Sequence, residues 1–133
     1  MRRTENIAML IARIMMCVLF IEGGWGKLVN AGAIQTAFDQ RYHLPVPVLA
    51  WLIAIIVEGI GGLAILFGLY ARAAGLVLAV WCVATAFIGH SNWADRNMEI
   101  HFWKNIGMCG GFLYVFAFGA GSYSLDRLRT RYR

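Results

Sequence analysis

The chain has 133 residues, of which 60% are hydrophobic and 14% charged, with a mean hydropathy of +0.64. Soluble domains carry about 25% charged residues, so the shortfall points to membrane spans. A soluble four-helix bundle is excluded, because the apolar segments are hydrophobic all the way round and leave no solvent face. The net charge of +5 gathers at the two ends, on Arg2 and Arg3 and on Arg127, Arg129, Arg131 and Arg133. Arginines beside apolar spans are explained by the positive-inside rule and anionic headgroups. The expected partners are membrane lipids, with no nucleic acid.

Ile7 to about Val29 is the first apolar segment. No small-x-small cleavage site follows it, so it is read as a retained span rather than a signal peptide. Asn30 to Val46 is polar and mixed, with a short interfacial helix expected over Ala33–Arg41. Pro47–Gly68 is the second span, with Pro47 near its first turn. Leu69–Arg72 is a tight connection, and residues 73–90 form the third span. Ser91–His101 reads as a polar loop. Phe102 to about Gly119 is the fourth span, followed by a basic tail. The chain is thus expected to be all-α: a single domain over residues 1–133, folded as an integral membrane antiparallel four-helix bundle.

Four spans put both termini on one side. That side holds Arg2, Arg3, Arg72 and the four tail arginines; the other holds Arg41 and Arg96, with Lys27 and Lys104 at span ends. The bias predicts both termini in the cytoplasm. Small residues predict close helix packing: Gly59, Gly61 and Gly62 on the second span, Gly75, Ala79, Cys82 and Ala86 on the third, Gly107 and Gly111 on the fourth. Trp51, Trp93 and Trp103 fall near the outer boundary, as an aromatic belt does. Cys17, Cys82 and Cys109 each lie inside a span, without metal, haem or CxxC spacing, and read as packing residues.

The informative polar groups lie in or beside the spans. Glu58 stands about 16 Å along its helix from Pro47, near the bilayer centre, and Glu22 about 10 Å below the outer boundary. A carboxylate at such depth persists with a partner, a proton or a function. Lys27, His90, His101, Lys104 and Asn105 fall in the same outer half. Together with Glu22 and Glu58 they are the candidate ligand or proton site, drawn from four helices. The plainer alternatives are interfacial anchoring for the lysines, helix-end positions for the histidines, and an acid–lysine pair that only fixes the bundle. Two histidines alone are a poor metal site, and no metal is expected. Arg13, about 9 Å in from the cytoplasmic end, has two outlets. It snorkels to headgroups or bonds carbonyls inside the bundle.

These residues carry a family resemblance. Arg13 is followed by Phe20-Ile-Glu-Gly-Gly-Trp-Gly-Lys27, then by Glu58-Gly-Ile-Gly-Gly-Leu-Ala-Ile-Leu-Phe-Gly68. Phe87-Ile-Gly-His90-Ser-Asn, Phe102-Trp-Lys104-Asn105 and Gly119-Ala-Gly-Ser-Tyr-Ser-Leu-Asp126 follow in order. In this arrangement the chain resembles the DoxX family of small bacterial membrane proteins, over almost its whole length. One departure is Ala120-Gly121, where the family often shows Pro-Gly. The resemblance implies a multi-pass protein of the bacterial inner membrane, in a family named after a small subunit associated with archaeal thiosulfate:quinone oxidoreductase. Other relatives are linked to thiols, quinones and oxidative stress. It carries over no catalytic residue set.

The leading expectation is a redox-associated subunit that binds a quinone-like or small aromatic ligand in the outer half of the bundle. Glu58 and Glu22 would handle protons, while Lys104, His90 and Asn105 would hydrogen-bond ligand oxygens. No cofactor motif is evident, so electrons would come from the ligand or from an oxidoreductase partner subunit. A small proton-coupled transporter is the second reading; a homo-oligomer would then supply further helices. A non-catalytic assembly partner is the third.

Overall fold

The computed structural model of the chain describes residues 3–40 and 42–131. Arg2, Arg41 and Arg133, which contribute to the charge balance, lie outside the described residues. The described chain is helical and contains no strand. Helix α1 is Arg3–Val29 and α2 is Ala31–Gln40. Helix α3, Pro47–Ile55, passes through a π turn at Ile56–Ile60 into α4, Gly61–Phe67. Helices α5, Ala71–Gly89, α6, Arg96–Phe118, and α7, Leu125–Arg131, complete the order.

The ends of these helices have local causes. Pro47 opens α3 at a position where its missing N–H has no intrahelical partner to lose. Gly68 closes α4 in the left-handed region, at φ 64°, and the N–H groups of Gly68 and Leu69 bond back to Ile65 and Ala64. Helix α6 begins six residues before the expected start of the fourth span. The side chain of Asp95 accepts the N–H of Asn97 at 2.9 Å and caps the helix. The expected polar loop is therefore only Ser91–Asp95, and Arg96–His101 form the first turns of α6. The second span is interrupted by the π turn, and the basic tail carries α7.

Three stretches are long and apolar enough to cross a membrane: Arg3–Val29, Pro47–Phe67 and Ala71–Gly89. Helix α6 has 23 residues, but Arg96, Glu99, His101, Lys104 and Asn105 make its first half polar. It lies along α5 in the opposite direction. Phe87 meets Phe102 with ring centroids 5.2 Å apart, and Gly75 faces the Phe112 carbonyl from so near that a Cβ would come within 2.9 Å. Gly24 of α1 crosses the π turn equally closely; a Cβ there would stand 2.7 Å from the Gly59 nitrogen. Such contacts gain dispersion energy where lipid offers no hydrophobic drive. Gly111 packs on Met16, whereas Gly107 faces open space.

The core is a seam of Cys17, Phe20, Ile65, Leu78, Cys82 and Phe112, with Phe20 edge-on to Phe112. Outside it, Met15, Val18, Trp25, Ile60, Val80 and Tyr114 are exposed. An apolar exterior of this extent suits acyl chains rather than water. Trp93 and Trp103 stay exposed near the end of α5 and the start of α6, 6.5 Å apart.

One end of the molecule is tied by backbone contacts. Arg13 is only 2% exposed and donates to the carbonyls of Ile65 and Tyr123. Of its two expected outlets, the chain uses carbonyls within the protein. Asn6 accepts the N–H of Ser122, and Asp126 accepts those of Tyr70 and Ala71 at 2.8 Å each. Arg72 donates to the Phe116 and Ala117 carbonyls. The start of α1 and the segment after α6 therefore share one end.

Candidate functional site

Glu58 sits at the middle of the π turn. A π turn adds a residue to the helix and rotates the turns after it, and such turns recur at functional sites. Both carboxylate oxygens have partners. Oε2 accepts from Lys27 Nζ at 2.6 Å, and Oε1 accepts from the Trp81 indole Nε1 at 3.0 Å. The pair is largely withdrawn from the surroundings: the Glu58 side chain is 10% exposed and that of Lys27 23%. Gly23, one turn before Lys27, provides the room, since a Cβ there would stand 2.8 Å from Oε2. The Trp51 indole caps the end of α1 by donating to the Lys27 carbonyl at 2.7 Å. Four elements thus fix one ion pair: α1, α3, the π turn and α5.

Beside this pair lies a cavity of about 480 Å³. Lys27, Glu58 and Trp81 contribute its charged and hydrogen-bonding wall. Asn105 and His90 line it from α6 and the end of α5. The remaining lining is mostly apolar, and Ile34, Phe38 and Tyr42 close one side from α2 and the turn after it. Asn105 is buried and its amide donates to the His101 carbonyl at 3.0 Å. The rings of His90 and His101 lie 5.1 Å apart. A larger groove, about 690 Å³, runs past Arg72, Asp126 and Arg127 at the opposite end. It contains no buried ion pair among the described residues.

Of the seven candidate residues, the structure gathers Lys27, Glu58, His90 and Asn105 around one cavity. His101 stands behind them, touching His90 and Asn105. Glu22 and Lys104 are elsewhere. Both are exposed on outer helix faces, and neither lines the cavity. Glu22 is five residues from Lys27, about 140° round the helix, which turns it away from Glu58. Lys104 is one residue, about 100°, from the buried Asn105. Three contributors are absent from the candidates read in the sequence: Trp81, Gly23 and the wall made by α2. Trp81 carried a signal, because an indole N–H in mid-span needs an acceptor and indoles otherwise collect at the interfaces. No group of His, Cys, Asp and Glu among the described residues could hold a metal ion.

Helices of this length and hydropathy, packed through glycines around a desolvated Lys–Glu–Trp cluster, define an integral membrane protein with a polar site inside its apolar body. The chain belongs to the DoxX family, whose model matches residues 8–91. That stretch holds Arg13, Lys27, Glu58 and Trp81. The chain is 40% identical over 131 residues to "Inner membrane protein YqjF" of Escherichia coli (strain K12), covering 98% of each. It is 34% identical over 128 residues to "Inner membrane protein YphA" of the same organism, covering 91% of this chain and 89% of that one. No solved structure matches.

Proposed function

We propose that this chain is a bacterial inner-membrane protein of four antiparallel spans, with both termini in the cytoplasm and a ligand cavity in its outer half. Helix α6 serves as the fourth span, since its 23 residues reach about 34 Å and it lies along α5 throughout. Arg72, Arg127, Arg129 and Arg131 stand at the end shared by the start of α1 and α7, which favours that end as cytoplasmic. A carboxy-terminal fluorescent-protein fusion should then be bright, and an alkaline phosphatase fusion inactive. The reverse pattern overturns the orientation.

The ligand the cavity fits is a quinone-like or small aromatic molecule, and the protein serves as a redox-associated subunit that holds it for a partner oxidoreductase. The supporting observation is the Lys27–Glu58–Trp81 wall of a mostly apolar cavity of about 480 Å³. Small-molecule sites typically have this size, with few polar groups among apolar ones. A quinone ring would lie against the apolar walls, with its oxygens accepting from Lys27 Nζ or the Asn105 amide. Glu58 would hold Lys27 in place. The test is a titration of the purified protein in nanodiscs with a short-chain quinone, read by tryptophan fluorescence. Saturable quenching whose amplitude falls in Trp81→Phe and whose affinity falls in Lys27→Met is expected. No saturable quenching in the wild type overturns the ligand reading.

The same pair favours one rival. Both Glu58 oxygens are satisfied without a ligand, as in a cluster that only fixes helix register. In that case Lys27→Met lowers stability and leaves quinone affinity absent or unchanged.

A further inference from the structure

Glu22 and Lys104 are the two charged candidate residues that the cavity leaves unused. Both are exposed, and neither has a hydrogen bond or ion pair among the described residues. Glu22 belongs to a stripe on the outside of α1 made of Ile11, Met15, Val18, Glu22 and Trp25. Its four apolar members are 51–70% exposed. Lys104 belongs to a stripe of α6 that continues through Gly107, Gly111, Tyr114 and Phe118. Tyr114 and Phe118 line an apolar groove of about 520 Å³ between α1 and α6, together with Met9 and Met16.

The two charges lie at one depth. Helices α1 and α6 run in opposite directions and meet where Met16 covers Gly111. Counting outward from that contact, Glu22 is six residues along α1 and Lys104 seven back along α6, or about 9 and 10 Å of helix rise. A carboxylate facing lipid without a partner is costly. Here a cation equally lacking a partner stands at the same level on the neighbouring helix.

We propose that the α1–α6 face is the interface of a homodimer, related by a two-fold axis along the membrane normal, in which Glu22 of each copy pairs with Lys104 of the other. This rests on α6 spanning the membrane. An axis along the normal keeps every residue at its depth, so the match in level within one chain becomes a match between chains. A two-fold interface uses the same patch twice and forms two such pairs. The outer stripe of α1 fits the apolar groove of the second copy, and Gly107, with open space beside it, lets that helix approach. A lipid chain would fill the groove but has no charge for Glu22 at this depth.

The test is single-molecule photobleaching of the labelled full chain in lipid vesicles over a range of protein densities, with monomer helicity and membrane insertion checked for each variant. The wild type should form dimers. Glu22→Lys and Lys104→Glu, each alone, should shift dimerisation about tenfold or more to higher density. Mixed together, the two variants should associate with each other at least as well as the wild type, because every contact between copies then joins opposite charges. A pair formed within one chain gives no such rescue. If a reversal fails to insert, Glu22→Gln and Lys104→Gln decide, each expected to weaken association about tenfold. A wild type that stays monomeric, reversed copies that do not recover on mixing, or Gln variants that associate unchanged overturn the proposal. Quinone titration and topology fusions are read independently of this result.

Discussion

Helix α1 holds a cation toward each end of the molecule, Arg13 buried and Lys27 half-buried, and the two ends treat it differently. Arg13 is held by the carbonyls of Ile65 and Tyr123, in a knot completed by Asn6, Asp126 and Arg72. Lys27 is held by the carboxylate of Glu58, next to a cavity. Carbonyl partners belong to the backbone and cannot titrate, so Arg13 is fastened to the fold itself. Arginine suits that task, because it stays charged and its planar fork reaches two acceptors at once. Lysine presents a compact charge with three donor protons; Lys27 gives one to Glu58 and one, at 3.5 Å, to the Gly23 carbonyl, and the third remains for another acceptor. The difference separates a clasp from a site: a cation fastened to backbone fixes architecture, whereas one paired to a side chain at a cavity edge remains available to a ligand.

The largest expected effect tests the cavity end. Glu58→Leu leaves the half-buried Lys27 without its counter-charge and should cost about 3 kcal/mol, the low end of the range for breaking a buried pair. The double variant Glu58→Leu with Lys27→Met removes both charges and should recover most of that loss, measured by unfolding in mixed detergent micelles. A double variant as unstable as the single one would show that the carboxylate supports something besides Lys27. At the other end the outcome should differ. Arg13→Met takes a charged donor from the Tyr123 carbonyl and another from the Ile65 carbonyl, which keeps the Gly68 N–H, and should cost about 3 kcal/mol. No single second-site change should restore it, because the partners are backbone. Arg13→Lys should recover only part, since one ammonium cannot reproduce the fork.

These partnerships also show what a sequence can and cannot carry. Arg13 and Glu58 were legible as expensive groups, because hydropathy places them inside spans. Their partners were not. Arg13 bonds residues 52 and 110 positions away, and no local pattern marks a carbonyl as an acceptor. For Glu58 two lysines were available, and helix phase chose between them. Lys27 lies one turn beyond Gly23, under the carboxylate, while Lys104 turns outward. The π turn mattered as well, because it alters the phase of the helix that carries Glu58, and nothing in the spacing of apolar residues signals it. The start of α6 was missed for a different reason: its first turns are polar, so hydropathy placed the boundary late, although Asp95 was in position to cap it.

Trp81→Phe gives a smaller effect and sharpens the contrast. It keeps the ring and removes one 3.0 Å hydrogen bond to Glu58 Oε1, at a cost of about 1–2 kcal/mol for a charge-assisted bond that is only partly buried. The loss should be confined to the cavity end. Local protection from hydrogen exchange should fall around the π turn and leave α7 unchanged. Equal loss at both ends would mean that the two regions form one cooperative unit.

The smallest effect belongs to the pair that looks comparable on distance alone. Arg96 and Glu99 meet at 2.7 Å, nearly as close as Lys27 and Glu58. They lie on the first turn of α6, with the Arg96 side chain 78% exposed and that of Glu99 33%. Water or headgroups replace the interaction as readily as they screen it, and holding two long side chains costs rotamer freedom. Exposed i,i+3 pairs of this kind contribute about 0.5 kcal/mol or less. Arg96→Ala should therefore leave the unfolding midpoint within error of the wild type, and raising the salt concentration should not separate the two proteins. A loss above about 1 kcal/mol would place Arg96 in a desolvated contact like that of Lys27. If instead the effect is small, separation does not rank these ion pairs: the exposure of the partners does.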